Sequence, residues 1–155
     1  MKVLIITYYW PPAGGSGVQR WLKFVKYLQE FGIEPVVYTV ENANYLKQDT
    51  SLLNEVPKGI AILKQPIWEP TALLFWKKSK HQTKGLSNVS KGGFLSFIRG
   101  NFFIPDPKVC WVKPSVSYLK KYLDANDIDV IISTGPPHSV HLIAERLHQK
   151  NDIKW

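Results

Sequence analysis

Three glycines, at positions 14, 15 and 17, follow the apolar run 2–7 and the Pro11-Pro12 pair, and a helical pattern starts directly behind them. Glycine has no Cβ to hold a ligand away from the backbone, and the first N–H groups of a helix lack partners inside it. A strand, a glycine loop and a helix start, in that order, make an anion site, with phosphate the first ligand to consider. The alternative for Gly14 and Gly15 is a turn that needs glycine for its own geometry. His138 and His141 stand behind a second apolar run, 129–132. Imidazole gains and loses a proton near neutral pH, and ligands of open α/β sheets bind at the C-terminal ends of strands. His138 is therefore a candidate to contact a ligand or orient a reacting centre, with His141 on the same helical face as second choice; the alternative for His138 is a helix-start residue facing solvent. His81 and His148 read as solvated surface residues.

Asp106 is the only acid among residues 77–121, in the sequence Pro-Asp-Pro. One carboxylate without a partner does not make a glycosidase pair, and Pro-Asp-Pro is turn chemistry, so Asp106 is expected to shape a loop, with ligand contact as the alternative. The single cysteine, Cys110, excludes an internal disulfide and a cysteine metal cluster, and reads as a small buried hydrophobe. No clustered carboxylates or paired histidines stand at metal-ligand spacing, so no metal is expected.

The elements that must position these residues follow from the hydrophobic pattern. Residues 3–6, 35–40, 60–63 and 129–132 are short runs rich in Val and Ile without polar alternation, the pattern of strands buried on both faces of a parallel sheet. Between the first two, Val18, Trp21, Leu22, Val25, Leu28 and Gln29 fall at helical spacing, and Gly32 sits where a C-terminal glycine cap belongs. Residues 116–123 and 140–147 repeat the helical spacing. The fold class is thus α/β: a Rossmann-like, doubly wound, mainly parallel sheet with helices on both faces, in a single domain spanning 1–155. Residues 152–155 read as the first residues of a further strand, so a truncated domain is expected.

Charge is concentrated in one segment. Residues 77–121 hold nine Lys and Arg99 against Asp106, so they carry more than the chain's whole net charge of +8. Aromatic residues are interleaved: Trp68, Phe75 and Trp76 precede or open the segment, and Phe94, Phe97, Phe102, Phe103 and Trp111 lie within it. Rings with lysines suit an anionic lipid interface, while a solvated loop whose rings pack on their own domain is the alternative. No nucleic-acid motif accompanies the charge, so no nucleic-acid partner is expected. Residue 1 leads straight into an apolar strand without a signal-peptide pattern, and no apolar run reaches bilayer length. A cytoplasmic protein is expected, with peripheral contact at the inner face of the cytoplasmic membrane.

Three motifs in order, Tyr8-Tyr9-Trp10-Pro11-Pro12-Ala13-Gly14-Gly15, Phe103-Ile104-Pro105-Asp106-Pro107 with Trp111, and residues 129–139 ending in Gly135-Pro136-Pro137-His138-Ser139, resemble the N-terminal half of group 1 (family 4) retaining glycosyltransferases. The resemblance covers essentially the whole chain. It implies the GT-B architecture, in which two Rossmann-like domains face a cleft, and makes this chain the acceptor-binding half with the C-terminal domain missing. It further implies transfer of a sugar from a nucleotide-sugar donor to a glycan or lipid-linked acceptor with retention, of the kind used in polysaccharide or lipopolysaccharide biosynthesis, with the nucleotide-diphosphate sugar as substrate and no other cofactor. By position, Gly14 and Gly15 would approach the donor diphosphate and His138 would be the catalytic-site histidine. Many relatives carry a histidine directly off the strand, where this chain has Gly-Pro-Pro. Tyr9, Trp10, Arg20, Arg99, Asp106, Trp111 and His141 are the acceptor-binding candidates; for Tyr9 and Trp10 packing under the loop is the alternative, and for Arg20 and Arg99 a solvated charge. The family's paired glutamates and main diphosphate-binding basic residues belong to the other domain, so the chain by itself is expected to be inert.

A different class shares part of the pattern. Gly15-Ser16-Gly17 begins the dinucleotide fingerprint, and Glu41 lies near the place of a ribose-binding acid, but Arg20 stands where the third glycine belongs. A nicotinamide dehydrogenase is not expected. A non-catalytic Rossmann-like module that binds an anionic membrane surface or a nucleotide is the alternative function.

Overall fold

The computed structural model describes residues 1–43, 45–67 and 104–155. Arg99, His81 and most of the basic, aromatic segment, including Trp68, Phe75, Trp76, Phe94, Phe97, Phe102 and Phe103, lie outside the described residues.

Among the described residues, four strands, β1 (Lys2–Thr7), β2 (Glu34–Val40), β3 (Ala61–Gln65) and β4 (Val130–Thr134), form one parallel sheet in the order β3-β2-β1-β4. Among the described residues, three α-helices cover it: α1 (Ser16–Glu30), α2 (Val112–Ala125) and α3 (Ser139–Asn151). Side chains alternate across a strand, so each strand feeds both faces. Val3 and Ile5 of β1 pack with Val37 of β2 and with Val18, Leu22 and Val25 of α1. Leu4 and Ile6 pack on the opposite face with Val36 and Tyr38 and with Leu119 of α2 and Val140, Ile143 and Leu147 of α3. β1 and β2 are buried on both faces, which is why they read as continuous apolar runs, while the edge strands β3 and β4 are mostly half-buried. The expected α/β, Rossmann-like class with helices on both faces is the observed one.

Local chemistry sets the element ends. α1 stops in a Schellman arrangement: the Gly32 N–H donates to the Gln29 carbonyl and the Ile33 N–H to that of Leu28, with Gly32 at φ 70°. Glycine takes that left-handed turn without a Cβ penalty, and Leu28 and Ile33 pack against the same core. On the other face, Trp111 has no exposed surface and stacks on Tyr38 at 5.3 Å between ring centroids. The Tyr38 hydroxyl donates to Ser115 Oγ at 2.7 Å, and Ser115 passes a bond to the Trp111 carbonyl. Burial pushes the Tyr38 hydroxyl well above its ordinary pKa, so it stays a donor.

Of the last residues, Lys154 makes one parallel bridge to Val130, with the Ile131 N–H donating to its carbonyl at 2.8 Å. Among the described residues, pairing on the outer side of β4 goes no further than this one residue. Among the described residues no helix is long and apolar enough to cross a membrane.

Candidate functional site

The chain leaves β1 toward β2 on one side, while β4 pairs on the other, so the C-terminal ends of β1 and β4 bound the point where the strand order reverses. Open α/β sheets bind ligands there. A cavity of about 250 Å³ occupies that point. Its wall is formed by Thr7 and Tyr9 from the end of β1, by Gly14, Gly15, Ser16, Gly17, Val18, Arg20 and Trp21 from the loop and α1, and by Thr134, Gly135 and Pro136 from the end of β4.

The loop from β1 to α1 is anchored from below. Trp10 is only 2% exposed and packs with Ala13, Val18 and Leu22 in the α1-side core. The Gly14 N–H donates to the Lys47 carbonyl, and the Asp49 N–H donates to the Pro12 carbonyl. A Cβ on Gly14 would lie 3.2 Å from side-chain carbons of both Asp49 and Lys47. Another segment thus crosses Gly14 closely, so a side chain there would need Asp49 and Lys47 to give way by a few tenths of an ångström, and its N–H is already engaged. Gly15 differs: nothing crowds a Cβ there, but its φ of 129° is a conformation essentially reserved for glycine.

That turn releases α1 at Ser16 with no side-chain cap and no acid in the first turn. The first intrahelical bond of this end runs from the Gln19 N–H to the Gly15 carbonyl. The amides of Ser16, Gly17 and Val18 thus have no carbonyl one turn back within the helix, and all three residues line the cavity. Arg20, exposed on the next turn, adds a cation to the same wall. The arrangement can bind an anion by amide donation, helix dipole and guanidinium charge.

At the end of β4 the corresponding helix start is closed. Asp106, 33 residues before Ser139 in sequence, accepts from the Ser139 N–H through Oδ2 and from the Ser139 hydroxyl through Oδ1, each at 2.7 Å. Oδ1 also accepts from the Lys108 N–H at 2.8 Å. The loop-shaping expectation for Asp106 holds in the Lys108 turn, and the carboxylate does more: it caps α3 from a distant loop.

His138 is exposed at the α3 cap position, and its ring centroid lies 6.0 Å from that of His141. The His141 Nδ1 is 2.8 Å from Ser133 Oγ, which also accepts from the Trp155 Nε1–H at 2.9 Å. On its other edge the imidazole lies against Gly135, where a Cβ would approach Nε2 to 2.9 Å. Burial, with a smaller contribution from His138, holds the His141 pKa below its ordinary value. Neither histidine belongs to the cavity wall; His141 instead backs Gly135, which does.

Among the acceptor-binding candidates, Tyr9 is 41% exposed and Arg20 is exposed, and both line the cavity. Trp10 and Trp111 require correction. Both indoles are core side chains, Trp10 under the glycine loop and Trp111 between Tyr38 and Tyr8, so neither presents a face for an acceptor. Cys110 is half-buried, and His148 is exposed with Nδ1 bonded to the Ile153 carbonyl. Among the described residues no group of three or more His, Cys, Asp and Glu is placed to hold a metal ion.

Thr7, Trp21, Thr134, Gly135 and Pro136 are wall residues that sequence reasoning did not assign to the site. Gly135-Pro136 directly after a strand was the available signal. The crossing of Gly14 by residues 47–49 had none, because the contact is tertiary. Comparisons with protein-family models, with curated proteins and with solved structures gave no match to this chain.

Proposed function

We propose that this chain is the acceptor-side half of a retaining, GT-B-type glycosyltransferase that moves a sugar from a nucleotide-sugar to a glycan or lipid-linked acceptor. The observation that carries the reading is the uncapped start of α1 opening into a cavity at the sheet's switch point. In such a transfer the leaving diphosphate gains charge as the glycosidic bond breaks, and amides of Ser16, Gly17 and Val18 with Arg20 would stabilise part of it. Tyr9 would meet the acceptor side of the same cavity. His141 would keep Gly135 in place, and the exposed His138, outside the cavity wall as the chain stands, would reach the donor sugar only from the completed cleft. A second nucleotide-binding domain completes the cleft in this reading.

A transfer assay with labelled nucleotide-sugars tests it. The chain 1–155 alone is expected to transfer nothing, and a longer polypeptide that adds the second domain is expected to give product with the donor's anomeric configuration by ¹H NMR. Transfer by residues 1–155 alone, or inversion by the longer polypeptide, would contradict the proposal.

Cytoplasmic location with peripheral attachment to an anionic membrane is part of the same reading. It is supported by the positive charge of 77–121 and by α1, which exposes Phe24 and Tyr27 along with Arg20, Lys23 and Lys26, with the exposed Phe31 directly after it. Co-sedimentation with phosphatidylglycerol vesicles should fall when the lysines of 77–121 are neutralised. Unchanged co-sedimentation would remove this part of the proposal.

A further inference from the structure

α1 carries a second pattern on the side turned away from the sheet. Its buried residues are Val18, Leu22 and Val25, and Arg20, Phe24 and Tyr27 each stand two positions after one of them. At about 100° per residue, two positions turn a side chain to the opposite face of the helix. Phe31, at the C-cap, stands four residues past Tyr27 and continues the line. The rings are open to solvent: Phe24 is 51% exposed, Tyr27 49% and Phe31 79%. Phe24 also lies against Trp21, with 5.4 Å between ring centroids, and Trp21 and Arg20 line the cavity at the switch point. The stripe thus runs from that cavity along the whole helix.

A single exposed ring is ordinary, whereas aromatic residues aligned opposite the core form a patch that calls for a partner. Charge indicates which partner. Arg20, Lys23 and Lys26, all exposed, stand on α1 against one acid, Glu30. Lys23 is ion-paired with Glu55, while Arg20 heads the line of rings and Lys26 flanks it. The chain as a whole carries +8, so a second copy seated on the stripe would meet like charge. Rings at the acyl boundary with cations among the headgroups are the composition of a helix lying in an anionic lipid interface. We infer that α1 docks flat on an anionic lipid surface, with Phe24, Tyr27 and Phe31 at the headgroup boundary and Arg20 and Lys26 toward lipid phosphates. The docking is independent of any transfer. One consequence rests on the transferase reading: a membrane against Arg20 lies beside the cavity, so the acceptor is the lipid-linked one rather than a free glycan.

The test is binding of the chain to phosphatidylcholine vesicles with and without phosphatidylglycerol, followed by co-sedimentation. Binding should require phosphatidylglycerol and weaken as salt is added. Phe24→Gln, Tyr27→Gln and Phe31→Gln together should weaken it about ten-fold or more, and Phe31→Gln alone about three-fold. Glutamine keeps helix propensity, and Phe31→Gln, at the most exposed of the three rings, keeps the test valid if the triple variant loses its fold. In bicelles carrying a nitroxide lipid, the amides of α1 should broaden while those of α2 and α3, on the opposite face of the sheet, stay sharp. No binding to phosphatidylglycerol vesicles, unchanged binding by these variants, or equal broadening at α2 and α3 would overturn the inference. So would a dimer in sedimentation equilibrium that Phe31→Gln dissolves while vesicle binding persists, because the stripe would then seat a second copy. The transferase reading keeps its own assay: a longer polypeptide that transfers to a water-soluble glycan as well as to a lipid-linked one would overturn the choice of acceptor alone.

Discussion

Two helices begin at the same edge of the sheet, one behind β1 and one behind β4, and they treat the same physical problem in opposite ways. Every helix start leaves amides that need acceptors. At α3 the need is met inside the molecule: Asp106, reaching in from another loop, takes both the Ser139 N–H and its hydroxyl. At α1 it is left open, with Gly15 in a left-handed conformation in place of a capping side chain and no acid in the first turn. One helix start thus takes a carboxylate from 33 residues away, while its neighbour has no side-chain cap and opens at a cavity, and the proposed function rests on that difference.

The largest expected effect comes from removing the cap. Asp106→Ala strips two charge-assisted bonds from α3 and leaves the buried Ser139 hydroxyl without its acceptor, for a loss of about 2–3 kcal/mol measured by urea unfolding. Pyrophosphate would then gain a second uncapped helix start, and shifts near Ser139 in the variant would sharpen the contrast. Gly15→Ala attacks the other side. A Cβ meets no atoms, but φ 129° is strained for alanine, so stability should fall by about 1–2 kcal/mol, and the α1 amides should lose their aim. A loss below a few tenths of a kcal/mol would mean that the turn relaxes without glycine. Ser16→Asp makes α1 resemble α3: a carboxylate in the first turn should raise stability by about 0.5 kcal/mol and weaken pyrophosphate binding, two signs that a merely structural loop would not couple.

The smallest effect is in the pH response of the backing residue. The His141 ring should titrate below its ordinary 6.5, followed by its Hε1 resonance, because burial and then His138 disfavour its cation. The neutral form is the one the fold prefers. The contribution is therefore complete above pH 6.5 and lost as pH falls below that value, where the unfolded chain takes up the proton first. His138→Gln should bring the midpoint part of the way back; a midpoint at or above 6.5 in the unaltered chain would contradict the packing against Gly135.

How much of this was legible in the sequence follows from which contacts are local. The strands were readable because burial on both faces produces unbroken Val and Ile runs, and the observed β1, Lys2–Thr7, is the run expected. The end of α1 was readable from Gly32, whose role depends only on its neighbours. The two glycines of the loop were not separable: Gly14 yields space to residues 47–49, Gly15 supplies a dihedral angle, and only the tertiary crossing tells them apart. For a related reason the sequence does not choose between the two readings of Trp10, of which packing under the loop is the observed one, and points the wrong way for Trp111. An aromatic residue just before Pro-Pro, as Trp10 is, or just before a helix, as Trp111 is, belongs to no period that would show it facing inward. The Asp106–Ser139 cap was equally hidden, since nothing in Pro-Asp-Pro points to a helix 33 residues away.

The most direct test of the contrast is an amide-resolved titration of the unaltered chain with pyrophosphate at low salt. Saturable shifts are expected at Ser16, Gly17 and Val18 and none at Ser139 and Val140. Shifts of equal size at both helix starts, or none at Ser16–Val18, would contradict it.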